Sequence, residues 1–458
     1  MKSTDKAHLI DDAPLTSFHK KLTAYSSGGP FIDGYALTVI GIALLTAKPA
    51  LHLTDIEIGL VGAASLVGVF VGGLVFGYVT DLIGRKVMYV ADLVVLAVAS
   101  VGSAFAPNAW WLIALRFIAG VAIGADYPIA TALLAEYLPR RHRGRLLGLA
   151  LVFWTVGAAA AYAVGFLLRD LGPDTWRWLL ASPALFAVIT LLLRFGTPES
   201  ARWLLSKGRV EEANAAIKKV YGSQYNVSHL SDERPASTSF GTIFRKPHLT
   251  RTIFVSGFWT AQVIPLFAVY IFAPDLLSSF GMTGDANLYG GSVIIMMLFV
   301  VGSFPGLWLI EKIGRRPLLL WSFAIITAAL ALPAFVPGAG SVGLFLGLAV
   351  FALVNGASGF LALVYPSELF PTEVRATAVG VGTAVSRIGS AAGTYLFPSA
   401  LLHGGSATVL AVGAGISALG WLVTMAWAPE TKGMSLSSIA TVPRDQEAPT
   451  TVTVTGKP

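Results

Sequence analysis

Gly77-Tyr-Val-Thr-Asp81-Leu-Ile-Gly84-Arg85-Lys86 is a short charged turn between two long apolar runs of this sequence. A near copy, Glu311-Lys-Ile-Gly314-Arg315-Arg316, lies in the second half of the chain, again between apolar runs. Two charged turns of the same kind are the first sign that the chain repeats itself.

Two further pairs of motifs repeat at nearly the same distance. Glu136-x-x-Pro139-x-x-x-Arg143 is matched by Glu368-x-x-Pro371-x-x-x-Arg375, and Pro198-Glu199-Ser200 is matched by Pro429-Glu430-Thr431. The offsets of the three motifs are 230, 232 and 231 residues. Because three different motifs share one order and one offset, the sequence predicts two homologous halves.

These motifs also carry a resemblance to a known family. Gly-x-x-x-Asp-x-x-Gly-Arg-Lys at 77–86 resembles the loop signature of the major facilitator superfamily. The Glu-x-x-Pro-x-x-x-Arg, Pro-Glu-Ser-x-Arg-Trp (198–203) and Pro-Glu-Thr-Lys-Gly (429–433) elements resemble its sugar-porter and metabolite:proton symporter branches. The second turn departs from the first, with Leu307 in place of Gly77 and Glu311 in place of Asp81. The resemblance implies an all-α membrane protein with 12 transmembrane helices, in two pseudo-symmetric six-helix bundles around a central cavity.

The composition independently indicates a membrane protein. Of the 458 residues 55% are hydrophobic and only 12% are charged, and the mean hydropathy is +0.71. A soluble protein of this length needs more charge to cover its surface. The chain has no cysteine, which excludes disulfides and cysteine-ligated metals.

Twelve apolar runs each have the roughly 20 residues that a bilayer crossing needs. We number them segments 1 to 12, at about 19–47, 58–79, 87–106, 110–137, 145–168, 176–196, 251–277, 288–310, 317–336, 342–365, 376–402 and 408–428. They divide the chain into a cytoplasmic N-terminal segment (1–18), a first six-helix bundle (19–197), a cytoplasmic linker (198–250), a second six-helix bundle (251–430) and a cytoplasmic tail (431–458).

The distribution of Lys and Arg predicts the orientation in the plasma membrane. With both termini in the cytoplasm, 27 of the 32 basic residues lie on the cytoplasmic side. Lys48, Arg169 and Arg177 then lie outside, and Arg116 and Arg387 lie within segments. This asymmetry also explains the net charge of +7 without a nucleic-acid partner.

The charged turns are predicted to form a gate. Acids and bases recur at the cytoplasmic ends of the segments in both halves, where facing ends can pair when the inner side closes and separate when it opens. The resemblance implies this role, and the alternative is that the bases only set the topology. The gate and loop-motif residues are Gly77, Asp81, Gly84, Arg85, Lys86, Glu136, Arg143, Glu311, Arg315, Arg316, Glu368 and Arg375.

Two acids inside segments are candidates for proton coupling, because charge at bilayer depth is costly and marks function. Asp126 lies in Gly124-Ala-Asp126-Tyr127-Pro128 of segment 4, near the midplane, and this phrase resembles metabolite and phosphate:proton symporters. A carboxylate removed from water binds a proton more readily, so Asp126 is the leading candidate. Its alternative role is to pair with an Arg of a neighbouring segment. Asp33 of segment 1 precedes Ala36, where sugar porters carry their coupling acid, and either replaces that acid or lies lower in the cavity.

Two bases inside segments are also candidates. Arg116 begins Arg116-x-x-x-Gly120-x-x-x-Gly124, and the resemblance implies that it responds to protonation by pairing with an acid of segment 1. Arg387 of segment 11 resembles an arginine of organic-anion transporters. Because a guanidinium stays charged and makes forked contacts with carboxylates, we expect Arg387 to bind an anionic substrate, or to pair with an acid across the cavity.

The remaining substrate-site candidates are Trp259, Gln262 and Tyr270 of segment 7 and Asn355 of segment 10. Segment 7 lacks most of the Gln-Gln-x-Ser-Gly-x-Asn run that sugar porters carry, which argues against a sugar substrate.

The sequence therefore predicts a monomeric secondary transporter for proton-coupled uptake of a small organic anion, in particular a carboxylate. Its predicted partners are protons, the substrate and the lipid bilayer. We find no nucleotide-binding loop or metal cluster, and so predict no enzymatic activity, no cofactor and no metal. A sugar or polyol, inorganic phosphate, and a non-transporting membrane sensor remain alternatives. The short linker and tail argue against the sensor.

Overall fold

The computed structural model describes residue 10 and residues 14–138, 140–194, 198–230, 240–246, 248–279, 281–336, 340–370 and 372–432. The predicted N-terminal segment, linker and tail lie partly outside these described residues. The fold consists of long helices joined by short turns.

The first half contains six long helices that correspond to segments 1 to 6. They are α1 (Ser17–Leu51), α2 (Asp55–Ile83), α3 (Arg85–Ala104), α4 (Ala109–Tyr137), α5 (Arg140–Leu168) and α6 (Thr175–Arg194). The boundaries follow local signals. For example, α2 begins after Thr54, whose hydroxyl accepts from the Glu57 amide while the Glu57 carboxylate accepts from the Thr54 amide.

Two short helices, α7 (Ala201–Ser206) and α8 (Val210–Tyr221), form the described start of the linker. The second half follows with α9 (Leu249–Ser279), α10 (Asp285–Ile313), α11 (Arg315–Phe335), α12 (Gly340–Ser358), α13 (Leu361–Leu369) and α14 (Thr372–Trp427).

The second half also crosses the membrane six times, although its helices are divided differently. Segment 10 is split between α12 and α13. Segments 11 and 12 both lie in α14, which changes direction at Gly405. Gly405 has φ 73°, a conformation that a residue with a side chain adopts only at a cost, so glycine permits the turn. Eleven helices of the described residues are long and apolar enough to cross a membrane, and α14 holds two crossings. The prediction of twelve crossings in two six-helix bundles is confirmed.

Glycines bring helices of the first half into backbone contact. A Cβ at Gly68 of α2 would lie 2.2 Å from the carbonyl oxygen of Phe117, and one at Gly120 of α4 would lie 2.1 Å from that of Ser65. No side chain fits at these positions, so the glycines allow α2 and α4 to pack closely.

The equivalent contact recurs in the second half between α10 and α12. A Cβ at Gly302 would lie 2.1 Å from the carbonyl oxygen of Leu353, and one at Gly356 would lie 2.2 Å from that of Phe299. The internal repeat therefore extends from the charged turns to helix packing.

The two halves meet along three helix pairs. Helix α2 packs against α14, α5 packs against α10, and α1 packs against α9. The first two pairs are related by the repeat, since α2 corresponds to α10 and α5 corresponds to the first part of α14.

Candidate functional site

A cavity of about 130 Å³ is lined by residues of both halves. All five residues predicted to contact substrate lie on its wall: Trp259, Gln262 and Tyr270 from α9, Asn355 from α12, and Arg387 from α14. The second half contributes most of this wall, and α5 supplies the facing side. The first and last of these residues, Trp259 and Arg387, are 128 positions apart in sequence, and the fold brings α9, α12 and α14 together around the cavity.

Two amide side chains at the cavity have polar atoms available for a ligand. Gln262 donates from Nε2 to Ser358 Oγ at 3.3 Å, while its Oε1 accepts no hydrogen bond within the described structure. Asn355 Nδ2 likewise lacks an acceptor among the described residues. Both side chains are buried. Since a buried polar group without a partner is unfavourable, a bound polar ligand would satisfy both amides.

Aromatic rings form a rigid part of the same wall. The Tyr270 ring centroid lies 5.3 Å from that of Trp154 and 4.7 Å from that of Phe299. The contact with Trp154 joins α9 to α5, and therefore joins the two halves. An apolar wall with a few convergent polar groups is typical of small-molecule sites.

Arg387 is the one charged residue among those that line this described cavity. Its guanidinium carbon lies 5.4 Å from the centroid of the Phe267 ring. The charge of Arg387 also acts on Asp33 of α1. The predicted cation therefore lies against the aromatic wall of the cavity.

Asp126 of α4 is paired with Arg194 of α6, a residue that the sequence analysis did not select. Arg194 Nη1 lies 3.2 Å from Asp126 Oδ1, and Nη2 lies 3.4 Å from Oδ2. The guanidinium carbon also lies 3.4 Å from the centroid of the Tyr89 ring. The position of Arg194 near the end of segment 6 led to its assignment as a cytoplasmic charge. Its burial at 3% relative exposure shows that it is part of the membrane domain instead.

Asp92 of α3 is a second buried residue that the sequence analysis missed. Its carboxyl group is within hydrogen-bonding reach of that of Asp126, and Asp33 is close enough for both acids to act on it. Asp92 lies inside the apolar run of segment 3, so the criterion that selected Asp126 also applies to it. The acids of three helices therefore converge beside Arg194.

Asp92 and Asp126 lie near the middles of α3 and α4, and Arg194 reaches them from the end of α6 that adjoins the charged turns. Asp92 is seven residues from the start of α3 at Arg85, a distance of about 10 Å along the helix. Arg194 is the last described residue of α6, close to the same end. Asp126 lies 17 residues from the start of α4 and 11 from its end, and its place near the midplane of the membrane stays a prediction.

Arg116 does not pair with an acid of α1 in the described structure. Its Nη1 donates to the carbonyl oxygen of Ala36 at 2.7 Å, and its Nη2 donates to that of Leu37 at 3.4 Å. Ala36 occupies the position at which sugar porters carry the acid. The Arg116 guanidinium reaches this position on α1 and donates to the backbone carbonyl groups there.

The charged turn of the second half is linked to two other repeated motifs. Arg315 forms a bidentate ion pair with Glu368, with nitrogen–oxygen distances of 2.7 and 3.1 Å. Glu430 accepts from the backbone amides of Arg315 and Arg316, both at 3.1 Å. This ion pair joins α11 to α13 within one half. Arg375 donates to the carbonyl oxygen of Phe370 at 3.2 Å.

The first half repeats the carboxylate contact at its own turn. Glu199 accepts from the Lys86 amide at 2.9 Å, as Glu430 does from the equivalent amides. The preceding glycines, Gly84 and Gly314, have φ of 111° and 97°. The side chains of Asp81, Arg85, Glu136 and Arg143, together with the details of Gly77, lie outside the described part of the structure.

Comparison with known proteins finds relatives that are described as transport proteins. The family profile described as "Sugar (and other) transporter" matches residues 13–442. "Putative metabolite transport protein YaaU" of Escherichia coli K12 is 41% identical over 93% of this chain and 96% of its own length. "Inner membrane metabolite transport protein YgcS" of the same strain is 38% identical over 94% and 96%.

A solved structure shares the fold. The inward-open conformation of the xylose transporter XylE from E. coli superposes with a TM-score of 0.75 at 21% identity, covering 92% of this chain and 99% of that chain.

Proposed function

The chain belongs to the sugar and other transporter family of the major facilitator superfamily, and we propose that it takes up a small organic anion, in particular a carboxylate, together with protons. The family consists of transporters, and the chain is a multi-pass membrane protein of the bacterial inner-membrane type. Beyond the family, we propose the chemical class of the substrate and the coupling of its uptake to protons.

The observation that carries the proposal is the position of Arg387 on the cavity wall. A guanidinium presents a planar fork that matches the two oxygens of a carboxylate. The unpartnered amide atoms of Gln262 and Asn355 offer further hydrogen bonds, and Trp259 and Tyr270 offer an apolar surface to the rest of the molecule. A carboxylate with a compact organic body complements all of these groups.

The acids beside Arg194 support the coupling to protons. Asp126 and Asp33 are buried on the first-half side of the molecule, and the charge of Arg387 acts on Asp33. When these acids bind a proton, the negative charge on the first-half side is reduced, and Arg387 is more available to an incoming anion. The proton and the anion then favour each other's binding, which is the requirement for symport.

We place the charged turns on the cytoplasmic side, with both termini, because the basic residues concentrate there. The opposite end of the interface is held together by contacts between the halves that include the ion pair of Lys48 and Asp275. Alternation between closure at this end and closure at the charged turns would expose the cavity to each side in turn.

A sugar or polyol is the second candidate. The family description, the xylose transporter fold and the two amides of the cavity favour it. In that case Arg387 would act as a partner for the acids, and the amides would bind the hydroxyl groups.

The two candidates are separated by a ligand panel on purified protein. We would measure the melting temperature with monocarboxylates, dicarboxylates, aromatic acids, phosphate, hexoses, xylose and polyols, at pH 6 and pH 7.5, since a ligand of the folded state raises it. The matched variants are Arg387→Ala, Arg387→Lys and Gln262→Ala. For each compound that gives a shift, counterflow into liposomes with an imposed pH gradient then measures transport.

Carboxylates should raise the melting temperature of the wild type and have no effect on Arg387→Ala, with a partial effect on Arg387→Lys. Uptake should follow the pH gradient. Stabilisation by sugars that survives in Arg387→Ala and is lost in Gln262→Ala would overturn the anion proposal in favour of a sugar. Stabilisation by phosphate alone would narrow the anion to an inorganic one and would also contradict the carboxylate assignment.

A further inference from the structure

The buried pair of Asp126 and Arg194 is balanced in charge, but a second acid lies beside it. Arg194 and Asp126 are each 3% exposed, and the guanidinium is held by two contacts to Asp126 and by the carbonyl oxygen of Tyr89 at 3.2 Å. One carboxylate and one guanidinium in close contact compensate each other's loss of hydration. A further ionised group beside this pair has no opposite charge to compensate its loss of hydration.

Asp92 is that second acid, and half of its carboxyl group is unpartnered. It is 4% exposed, and its Oδ1 accepts from the Leu93 amide at 2.6 Å. Its Oδ2 accepts no hydrogen bond from the described residues. The neighbour within hydrogen-bonding reach is the carboxyl group of Asp126, which cannot donate when both acids are ionised.

Among the side chains that the structure describes, the charged and titratable groups around this pair do not supply the missing positive charge. Asp33 from α1 adds a negative charge, Tyr89 from α3 is neutral, and Arg194 from α6 is already engaged by Asp126. Arg387 from α14 acts on Asp33. A proton between the two carboxyl groups would remove the excess negative charge and give Asp92 Oδ2 a hydrogen-bond partner.

We propose that Asp92 and Asp126 share one proton, that this pair is the proton-binding site of the transporter, and that Arg194 is the positioning residue that holds Asp126 in place. The inference rests on the proposed proton symport and deepens it. The proton belongs to the pair rather than to Asp126 alone, and its release leaves two carboxylates against one guanidinium. This excess charge is stable only when water or a cation reaches the pair.

The test is infrared spectroscopy of the purified, ligand-free protein in lipid. A protonated carboxylic acid has a C=O stretching band that an ionised carboxylate lacks, and the band shifts on exchange into D₂O. The wild type should show such a band at neutral pH and lose it reversibly at alkaline pH. Asp92→Asn and Asp126→Asn should each lose it, because the remaining acid ionises beside Arg194. Asp33→Asn should keep it.

Stability provides a second readout from the same variants. Each single variant leaves one carboxylate against Arg194, so each should fold and melt close to the wild type. The double variant Asp92→Asn with Asp126→Asn leaves the guanidinium uncompensated, and its melting temperature should fall by far more than the sum of the single effects.

Several results would overturn the shared proton. They are the absence of the band in the wild type at neutral pH, its persistence in Asp92→Asn or in Asp126→Asn, and its loss in Asp33→Asn. A double variant whose fall in melting temperature equals the sum of the falls in the two single variants would also contradict the shared proton. The proposed function fails separately, if no compound is taken up in response to a pH gradient while the band pattern holds.

Discussion

Lys48, near the end of α1, and Asp275, near the end of α9, form an ion pair that joins the two halves of the molecule. It lies at the end opposite the charged turns, and the two side chains are 25% and 21% exposed. The pair must break if the halves separate at this end, so it stabilises the state in which this end is closed.

Loss of this ion pair should open that end of the cavity more often. The chain contains no cysteine, so Thr155→Cys on the cavity wall provides a unique thiol. With Asp275→Asn, an impermeant thiol reagent applied to the Lys48 side should label this thiol about two- to fivefold faster, as expected for a partly exposed ion pair of about 0.4–1 kcal/mol. Labelling rates in right-side-out and inside-out vesicles give the measurement.

The charge-reversed double variant is the control. Lys48→Asp with Asp275→Lys restores the attraction and should return the labelling rate toward that of the wild type. Equal labelling in Asp275→Asn and the parent would mean that the ion pair does not stabilise closure.

A second contact between the halves depends on a proline. Tyr162 Oη of α5 donates to the carbonyl oxygen of Tyr270 at 2.7 Å. In a regular helix this oxygen would accept from the residue at position 274, but Pro274 has no N–H, and α9 departs from helical geometry at Phe272. The bond across the interface therefore satisfies an oxygen that the helix itself leaves free.

We expect Tyr162→Phe to destabilise the closed state, because the Tyr270 oxygen is left buried without a donor at a cost of about 1–3 kcal/mol. The labelling rate of Thr155→Cys should rise and the melting temperature should fall. Tyr35→Phe is the matched control, since Tyr35 Oη bonds to Ser182 Oγ at 2.7 Å within the first half. A similar rise in labelling for both variants would show that the effect is general loosening and does not come from the interface.

The sequence predicts the fold well because the fold depends on local and repetitive signals. Apolar runs of bilayer length mark the crossings, and the repeated turns at Gly84 and Gly314 mark the two halves. Glycines spaced four apart, such as Gly302, indicate close helix packing. Each signal can be read within a few residues of the chain and needs no knowledge of the partner helix.

The site is predicted less completely because it depends on which helices are neighbours. The five cavity residues were selected as polar or aromatic residues within segments, and the fold brings them together. Asp92 was overlooked although it has the same signal, and Arg194 was counted only among the basic residues on the cytoplasmic side. The contact of Tyr162 with Tyr270 spans 108 residues and could not be inferred from either sequence neighbourhood.

Gly29 of α1 covers the Asp126–Arg194 pair. A Cβ at this position would lie 2.0 Å from Asp126 Oδ2 and 2.5 Å from Arg194 Nη2. Gly29→Ala should therefore displace the ion pair or α1, lowering the melting temperature and reducing uptake driven by a pH gradient by tenfold or more. Gly415→Ala is the control, because a Cβ there meets nothing within 4 Å. Unchanged uptake and stability in Gly29→Ala would show that the pair tolerates a shift of this size.

The carboxylate of Glu430 caps the start of α11. It accepts from four backbone amides, those of Arg315 and Arg316 at 3.1 Å, Thr431 at 2.9 Å and Lys432 at 2.8 Å. An anion at a helix N-terminus is favoured by the free amides and the helix dipole. Glu430→Ala should therefore lower the free energy of unfolding by about 2 kcal/mol, and the melting temperature with it.

The repeat provides a parallel test of this cap and the surface provides a control. Glu199→Ala removes the equivalent contact with the Lys86 amide and should destabilise the protein in the same direction. Glu212 pairs with Arg209 at 2.7 Å in an exposed part of the linker, so Glu212→Ala should change stability by less than about 1 kcal/mol. If Glu430→Ala melts like Glu212→Ala, the amides are satisfied by water, and the capping role assigned to the repeated Pro-Glu motif is wrong.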